Sequence, residues 1–389
     1  MEMIGNKQTG RLMGAMMVLV LYALHSCPAH AQQLSEQEVF GKKTYDMLDA
    51  RQYGALEQRF RPYLDSYANN KISAEAFAWR FEAFSMMTEV EPRLDEWVQS
   101  FPNSYTARLA RGIYHVTDAW RKRGELMGNR TSDMQMKGFH ESLKKAQSDL
   151  GSSIPLYARP VNSYRYLIRI SKGLGLGNER DMLDKALKLD PKAFDARSEY
   201  YDAITPRWGG SKKEMASFLD ESNKSQMSDK DKKRIEGIYY YDLAQQARLE
   251  KDYKAGSDYF YKYYLTKKDP NILLWSVQDA IDGKLQELAM ERLNELNKEY
   301  PTYPFGFELR AQLYEYHYKD IKKAIQDYLV AADLGATWSQ NRMGWNYMKG
   351  INVSVDYVKA KHYLDLAAKQ GNETAMANLD ILKKLQKGE

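Results

Sequence analysis

Cysteine is all but missing from this chain of 389 residues: the one copy is Cys27. It lies in an amino-terminal stretch that reads as a removable leader, so the body has no thiol. Disulfides, thiolate catalysis and cysteine metal sites are thereby excluded. Long hydrophobic runs are missing too, except for Leu12–Leu24, a 13-residue apolar run behind Lys7 and Arg11. That is short for a membrane span and has the length of a signal-peptide core. Ala29 and Ala31 flank His30 as an A-x-A cleavage site before Gln32, so residues 1–31 are expected to be a signal peptide. A second reading takes LHSC as a lipoprotein signal with the lipid on Cys27, and a third keeps the segment as an uncleaved anchor. All three place the body outside the cytoplasm, periplasmic or secreted. The membrane is expected as a partner only if Cys27 is lipidated.

Neither sign of charge dominates: 57 basic against 52 acidic residues give a net +5. Loss of Lys7, Arg11 and Glu2 with the leader leaves 55 against 51, a net +4. The signs alternate, as in KKDPNILLWSVQDAIDGK, without the basic stripe that phosphate contacts require, so no nucleic-acid partner is expected. Catalytic signatures are lacking as well. Outside the leader the histidines are His115, His140, His317 and His362, none at a metal-type spacing from another, and His140-Glu141 lacks the second histidine of H-E-x-x-H. There is no G-x-S-x-G, and the S-x-x-K of Ser142–Lys145 has no companion motif. The glycines of GLGLGNER follow a helix, not a strand, and read as a helix-ending loop with Asn178 capping the next helix. Carboxylate groups such as Glu89, Glu91 and Asp95 are indistinguishable from a solvated face. No catalytic residue, metal site or cofactor is expected.

What the sequence does contain is helix. Apolar residues recur three and four apart, and no sustained alternation marks a strand. Ser35 with Glu38 forms a capping box, and Pro191, Pro270 and Pro301 fall where one helix ends or another begins. Toward the carboxyl end the chain repeats itself at an offset of 36 residues. Asp320, Lys323, Ala324, Ala331, Ala332 and Gly335 recur as Asp356, Lys359, Ala360, Ala367, Ala368 and Gly371. Small alanines let two helices approach closely, and the glycine supplies the left-handed residue that ends the second helix. This pattern resembles the SEL-like repeat, a relative of the tetratricopeptide repeat, over residues 311–382. Gly344, Tyr347, Gly350 and Val353 also fit that family's first helix and loop, whereas the first copy shortens the loop to YEYHYKD.

The resemblance implies a right-handed α-solenoid of antiparallel helix pairs, with a helical amino-terminal half. The expected organisation is a leader (1–31), an amino-terminal helical region (32–105), a helical domain carrying PRWGGS (106–227), degenerate tetratricopeptide-like repeats (228–310) and SEL-like repeats (311–389). AWRKRGE, ALKLDP and ITPRWGGSKKEM resemble a bacterial domain family of unknown function found beside such repeats, which implies a helical domain and no activity.

Two features bear on function. In PRWGGS, Pro206 stops the preceding helix, Gly209 and Gly210 open backbone angles that other residues avoid, and Ser211 with Glu214 forms a second S-x-x-E box. One reading makes the motif a joint. The other makes Arg207 and Trp208 a clamp for a carboxylate of a peptide or glycan. Tyrosine is in excess, 29 residues, concentrated in GIYYYDLAQQ and DYKAGSDYFYKYYLTKKD. Successive residues of a helix face different ways, so Tyr239, Tyr240 and Tyr241 cannot all point inward. Tyr240, Tyr259 and Tyr263 are therefore candidate partner contacts. The function expected is non-catalytic binding of a protein or peptide on an aromatic-rich concave surface; the alternative is an envelope enzyme acting on peptidoglycan or glycan through residues 106–227.

Overall fold

The computed structural model describes residues 35–124 and 130–387; the leader, with Cys27 and its cleavage site, lies outside the described residues. Among the described residues every regular element is helical, as the periodicity predicts. The chain forms two compact units that part between Ser152 and Ser153.

The first unit contains α1 (Glu36–Asp49), α2 (Tyr53–Ala68), α3 (Ala74–Ala78), α4 (Ala83–Met86), α5 (Glu91–Ser100), α6 (Tyr105–Arg123) and α7 (Asp133–Ser153). Ser35 opens α1 with the full capping box. Its hydroxyl accepts the Glu38 N–H at 3.2 Å while the Glu38 carboxylate accepts the Ser35 N–H at 2.7 Å. A core of aromatic rings fills the space between these helices: Phe60 lies 4.8 Å from Phe81 and 5.7 Å edge-on to Phe40, and Tyr67 stacks on Phe77 at 4.7 Å. Such pairs add about 0.5–1.5 kcal/mol each beyond the area they bury. Helix α6 is buried around most of its circumference, including His115, whose burial holds its pKa down and the ring neutral. It meets α7 at Gly112, where a Cβ would stand 2.7 Å from Leu150 Cγ.

The second unit is a succession of helices, each packed on the next: α8 (Val161–Leu174), α9 (Glu179–Leu189), α10 (Phe194–Ala203), α11 (Lys212–Asn223), α12 (Asp229–Leu249), α13 (Tyr253–Lys267), α14 (Pro270–Asp282), α15 (Gln286–Glu299), α16 (Pro304–Leu313), α17 (Ile321–Asp333), α18 (Thr337–Lys349), α19 (Tyr357–Lys369) and α20 (Glu373–Lys387). Connections this short make neighbours antiparallel, the arrangement of helical repeats. Pro270 opens α14, and Pro191 and Pro301 follow the ends of α9 and α15. One detail differs from expectation. Asn178 stands before α9, but its side chain makes no capping bond; the Ser171 hydroxyl accepts its N–H at 3.4 Å and donates to Glu179 at 2.7 Å.

The 36-residue repeat has a hydrogen-bond basis. Asp320 and Asp356 cap α17 and α19, accepting the N–H of Lys323 at 3.1 Å and of Lys359 at 2.9 Å. Each helix then ends in the same double bond: Gly335 N–H to Ala332 and Ala336 N–H to Ala331, repeated as Gly371 to Ala368 and Asn372 to Ala367. This is the Schellman arrangement, which requires a left-handed residue, and Gly335 and Gly371 supply it at φ +98° and +82°. Ala324, Ala331, Ala332, Ala360 and Ala367 are buried and Ala368 half-buried, so the small positions carry the close packing. The shortened YEYHYKD loop has become a π-helical turn, Tyr314–Tyr318, closed by Lys319 at φ +58°; in the second copy Gly350 does this at φ +67°.

Candidate binding surface

The PRWGGS segment is a turn determined by its own residues. Thr205 is buried, and its hydroxyl donates to the Asp202 carbonyl at 2.7 Å. Pro206–Trp208 form one 3-10 turn, and Gly209 follows at φ +93°. At Gly210 a Cβ would lie 2.0 Å from the Ile204 carbonyl oxygen, a backbone atom that cannot step aside. Ser211 then caps α11, accepting the Glu214 N–H at 3.2 Å. Its hydroxyl also donates to the Glu214 carboxylate at 2.7 Å, so this cap closes through the side chain.

Arg207 and Trp208 are brought into one network. Arg207, with 63% of its side chain exposed, pairs with Asp202; Asp202 also pairs with Lys172 of α8, whose Nζ stands 4.9 Å over the Trp208 ring. Burial pushes the Asp202 carboxyl up, but the two cations outweigh it and hold it below its ordinary range. Asp242, on α12, lies near enough to respond to both Arg207 and Asp202. Burial raises it to about 6, with Arg207 opposing and Asp202 adding to the rise. A cavity of about 360 Å³ adjoins the turn and is lined in part by Arg180, Tyr200, Ile204, Glu214 and Glu221. Within it, Arg180 is held by Glu221 at 2.7 Å and Asp184 at 2.9 Å.

The tyrosines divide between two groups. Tyr239, Tyr240 and Tyr241 are each half-buried, fanned around α12. Tyr240 stacks with Tyr259 of α13, ring centroids 6.4 Å apart and planes 22° from parallel, and the Lys262 ammonium lies 5.3 Å from the first ring and 5.7 Å from the second. Tyr263 instead meets Tyr241 edge-on at 5.6 Å, in a group that includes Trp275 and the buried Phe260. Gly237 allows the two helices this approach: a Cβ there would lie 2.8 Å from Thr266 Oγ1 and 3.2 Å from the Tyr263 ring. Beside the Tyr240–Tyr259 stack, Lys233, Glu236, Tyr240, Lys262, Leu265 and Thr266 line a pocket of about 200 Å³. Burial, with Glu236 adding, raises the Tyr240 hydroxyl, which stays protonated and able to donate.

Sequence reasoning did not single out Lys233 or Lys262. Their signal was present, since Lys233 and Tyr240 lie seven apart on α12, and Tyr259 and Lys262 three apart on α13. A second aromatic groove also went unread. Trp338 and Trp345, seven apart on α18, join Asn341, Arg342, Thr374 and Asn378 around about 320 Å³. Of the histidines, His115 is buried, His140 half-buried, and His317 and His362 exposed. Among the described residues no group of three or more His, Cys, Asp or Glu is arranged to hold a metal.

Comparison with known proteins finds a family, described as domain of unknown function (DUF4034), matching residues 41–178 and 178–242. No curated protein matches. Among solved structures the chain is similar to a Sel1 repeat protein from Oxalobacter formigenes, at 15% identity over 93% of this chain and 99% of that one, with a TM-score of 0.35. It is similar also to yeast Tom70, at 12% identity over 90% and 88% with a TM-score of 0.32. The human IFIT1 dimer with PPP-AAAA matches at 14% identity over 97% and 80%, with a TM-score of 0.30. At these identities the likeness is one of helical-repeat fold alone. The family match spans more than half of the sequence, and the chain belongs to the DUF4034 family.

Proposed function

We propose that the protein is a non-catalytic helical-repeat binder of the bacterial envelope or the secreted space that holds a protein or peptide partner on its aromatic surface. The observation that carries this reading is the Tyr240–Tyr259 stack beside the open pocket of α12 and α13. Tyrosine rings already ordered by their neighbours lose little freedom on binding, and their hydroxyls supply polar contacts at the edge of an apolar body. The pocket's volume of about 200 Å³ supports a peptide over a free small molecule. Small-molecule sites typically begin near 300 Å³, whereas one side chain of a longer ligand needs less. The leader expected in residues 1–31 supports a location outside the cytoplasm. The enzyme alternative draws no support from Arg207 and Trp208, which are engaged by Asp202 and Lys172.

The test is the double variant Tyr240→Ala/Tyr259→Ala in the full chain, compared with Tyr263→Phe, in a pull-down from envelope extract. The double variant should lose its partner while the Tyr263 variant keeps it. The double variant should melt lower, because it loses a stacked aromatic pair worth about 0.5–1.5 kcal/mol beyond its buried area, but unchanged circular dichroism should show that it remains folded. Retained capture by the double variant would remove this surface from consideration.

A further inference from the structure

We infer that the segment held at the Tyr240–Tyr259 pocket is acidic, an unmodified peptide that places an aspartate or glutamate carboxylate between Lys233 and Lys262; this rests on the binding role proposed above. Three observations carry it. First, basic charge is in excess. Lys254 of α13 is tied to Asp258 at 2.9 Å, whereas among the described residues no ion pair holds Lys233 or Lys262. Glu236 is the one acid lining the pocket, against those two lysines, and Lys230 lies one turn before Lys233 on the same helix. Second, donors outnumber acceptors. Two ammonium groups donate and cannot accept, and the protonated Tyr240 hydroxyl adds a further donor, against the one carboxylate of Glu236 and the hydroxyl of Thr266. A carboxylate accepts only, so it complements the three donors. Third, Leu265, 47% exposed, borders the same pocket and offers apolar surface to the flanking part of a peptide.

A phosphate fits less well. The pocket has no arginine fork and no helix amino end: α12 begins four residues before Lys233. A nucleobase fits less well again. The two rings stack on each other, and Lys262 lies against both, so each ring already has a partner where a base would stack.

The experiment is selection of displayed random heptapeptides on the immobilised full chain, on Lys233→Glu/Lys262→Glu, and on Tyr240→Ala/Tyr259→Ala. Both lysines are exposed, and unchanged circular dichroism should show that charge reversal leaves the fold intact. The native chain should enrich acidic peptides. Charge reversal should abolish that bias and weaken an enriched peptide roughly tenfold or more by fluorescence anisotropy, with weaker binding at 0.5 M salt. An enriched pool without acidic bias, yet lost in the tyrosine variant, would overturn the inference and leave the binding role standing. A pool that neither variant alters, or no enrichment at all, would overturn both. Tighter binding of a phosphoserine version of the selected peptide, or of a twelve-nucleotide oligouridylate lost on charge reversal, would overturn the acidic-peptide assignment in favour of that ligand.

Discussion

The two copies of the 36-residue repeat and the tyrosine-rich helices before them belong to one unit but are held together differently. In α17–α20 the characteristic residues bond to neighbours three to five positions away: Asp320 to Lys323, Gly335 to Ala332, Ala336 to Ala331, and each again in the second copy. In α12–α14 the partners are remote. Arg248 reaches Asp279 across 31 positions at 2.6 Å, and Ser257 donates to the Ser276 carbonyl across 19 at 2.8 Å. The first region is zipped by small side chains and closed backbone bonds. The second is filled by aromatic rings that wrap buried polar pairs. A period in the sequence therefore reports the first and passes over the second, although each has a buried core.

The largest effect should come from the filled region. Phe260 is fully buried, edge-on to Trp275 at 5.5 Å and 4.2 Å beneath the Arg248 guanidinium. Phe260→Ala should cost about 3–5 kcal/mol, the range for emptying an aromatic core position. Ala367→Leu, which overfills a zipped position with no exposed surface, should cost about 1–3 kcal/mol. Urea unfolding of both variants checks the ranking, and the reverse order would mean that the small-residue contact contributes more than the aromatic packing.

Glycine at the repeat ends sharpens the comparison at a smaller scale. Nothing lies within 4 Å of a Cβ added at Gly335 or Gly371, so alanine there meets only the cost of positive φ. Each change should destabilise by about 1 kcal/mol, and equally, because the two turns are the same. Lys319 already bears that strain in the first copy, and Lys319→Gly should be neutral or stabilise by up to about 1 kcal/mol. Clearly unequal costs for the two glycines, measured by thermal unfolding, would break the equivalence of the copies.

The same contrast explains how much could be read from the residues alone. Helix class, the Ser35–Glu38 box, the proline boundaries and the repeat turns are local, and periodicity with capping chemistry reaches them. The joint at PRWGGS was legible as a joint for the same reason, though not the 2.0 Å clearance that excludes a side chain at Gly210. What escaped is cross-helix pairing. Tyr240, Tyr259 and Tyr263 are alike in sequence, and only the register of α12 on α13, set at Gly237, sends Tyr259 to Tyr240 and Tyr263 to Tyr241. Lys233 and Lys262 looked like two more charges on a solvated face until that register placed them around one pocket. Asp242 gave no sign at all, because its environment consists of residues 35 and 40 positions away.

Asp242 provides the finest test, since it measures what remote packing costs when a charge is caught in it. Its folded pKa is raised to about 6 by burial, with Arg207 opposing and Asp202 reinforcing, against an ordinary 3.8. Between those two values the folded chain binds a proton that the unfolded chain releases. Stability therefore falls as pH rises through that window, and the deficit is complete above pH 6. Asp242→Asn removes the titration without changing the side chain's shape. The variant should be more stable than the native chain at pH 8, by about 1–2 kcal/mol after allowance for partial exposure, and the gain should shrink to nearly nothing by pH 4. The carboxylate of Asp202, kept ionised by Lys172 and Arg207, should show the opposite dependence in Asp202→Asn: loss at neutral pH, diminishing as acid protonates the native group. If thermal melts of Asp242→Asn run parallel to the native chain from pH 4 to 8, the group is bathed in water and the network beneath Arg207 does not extend to α12.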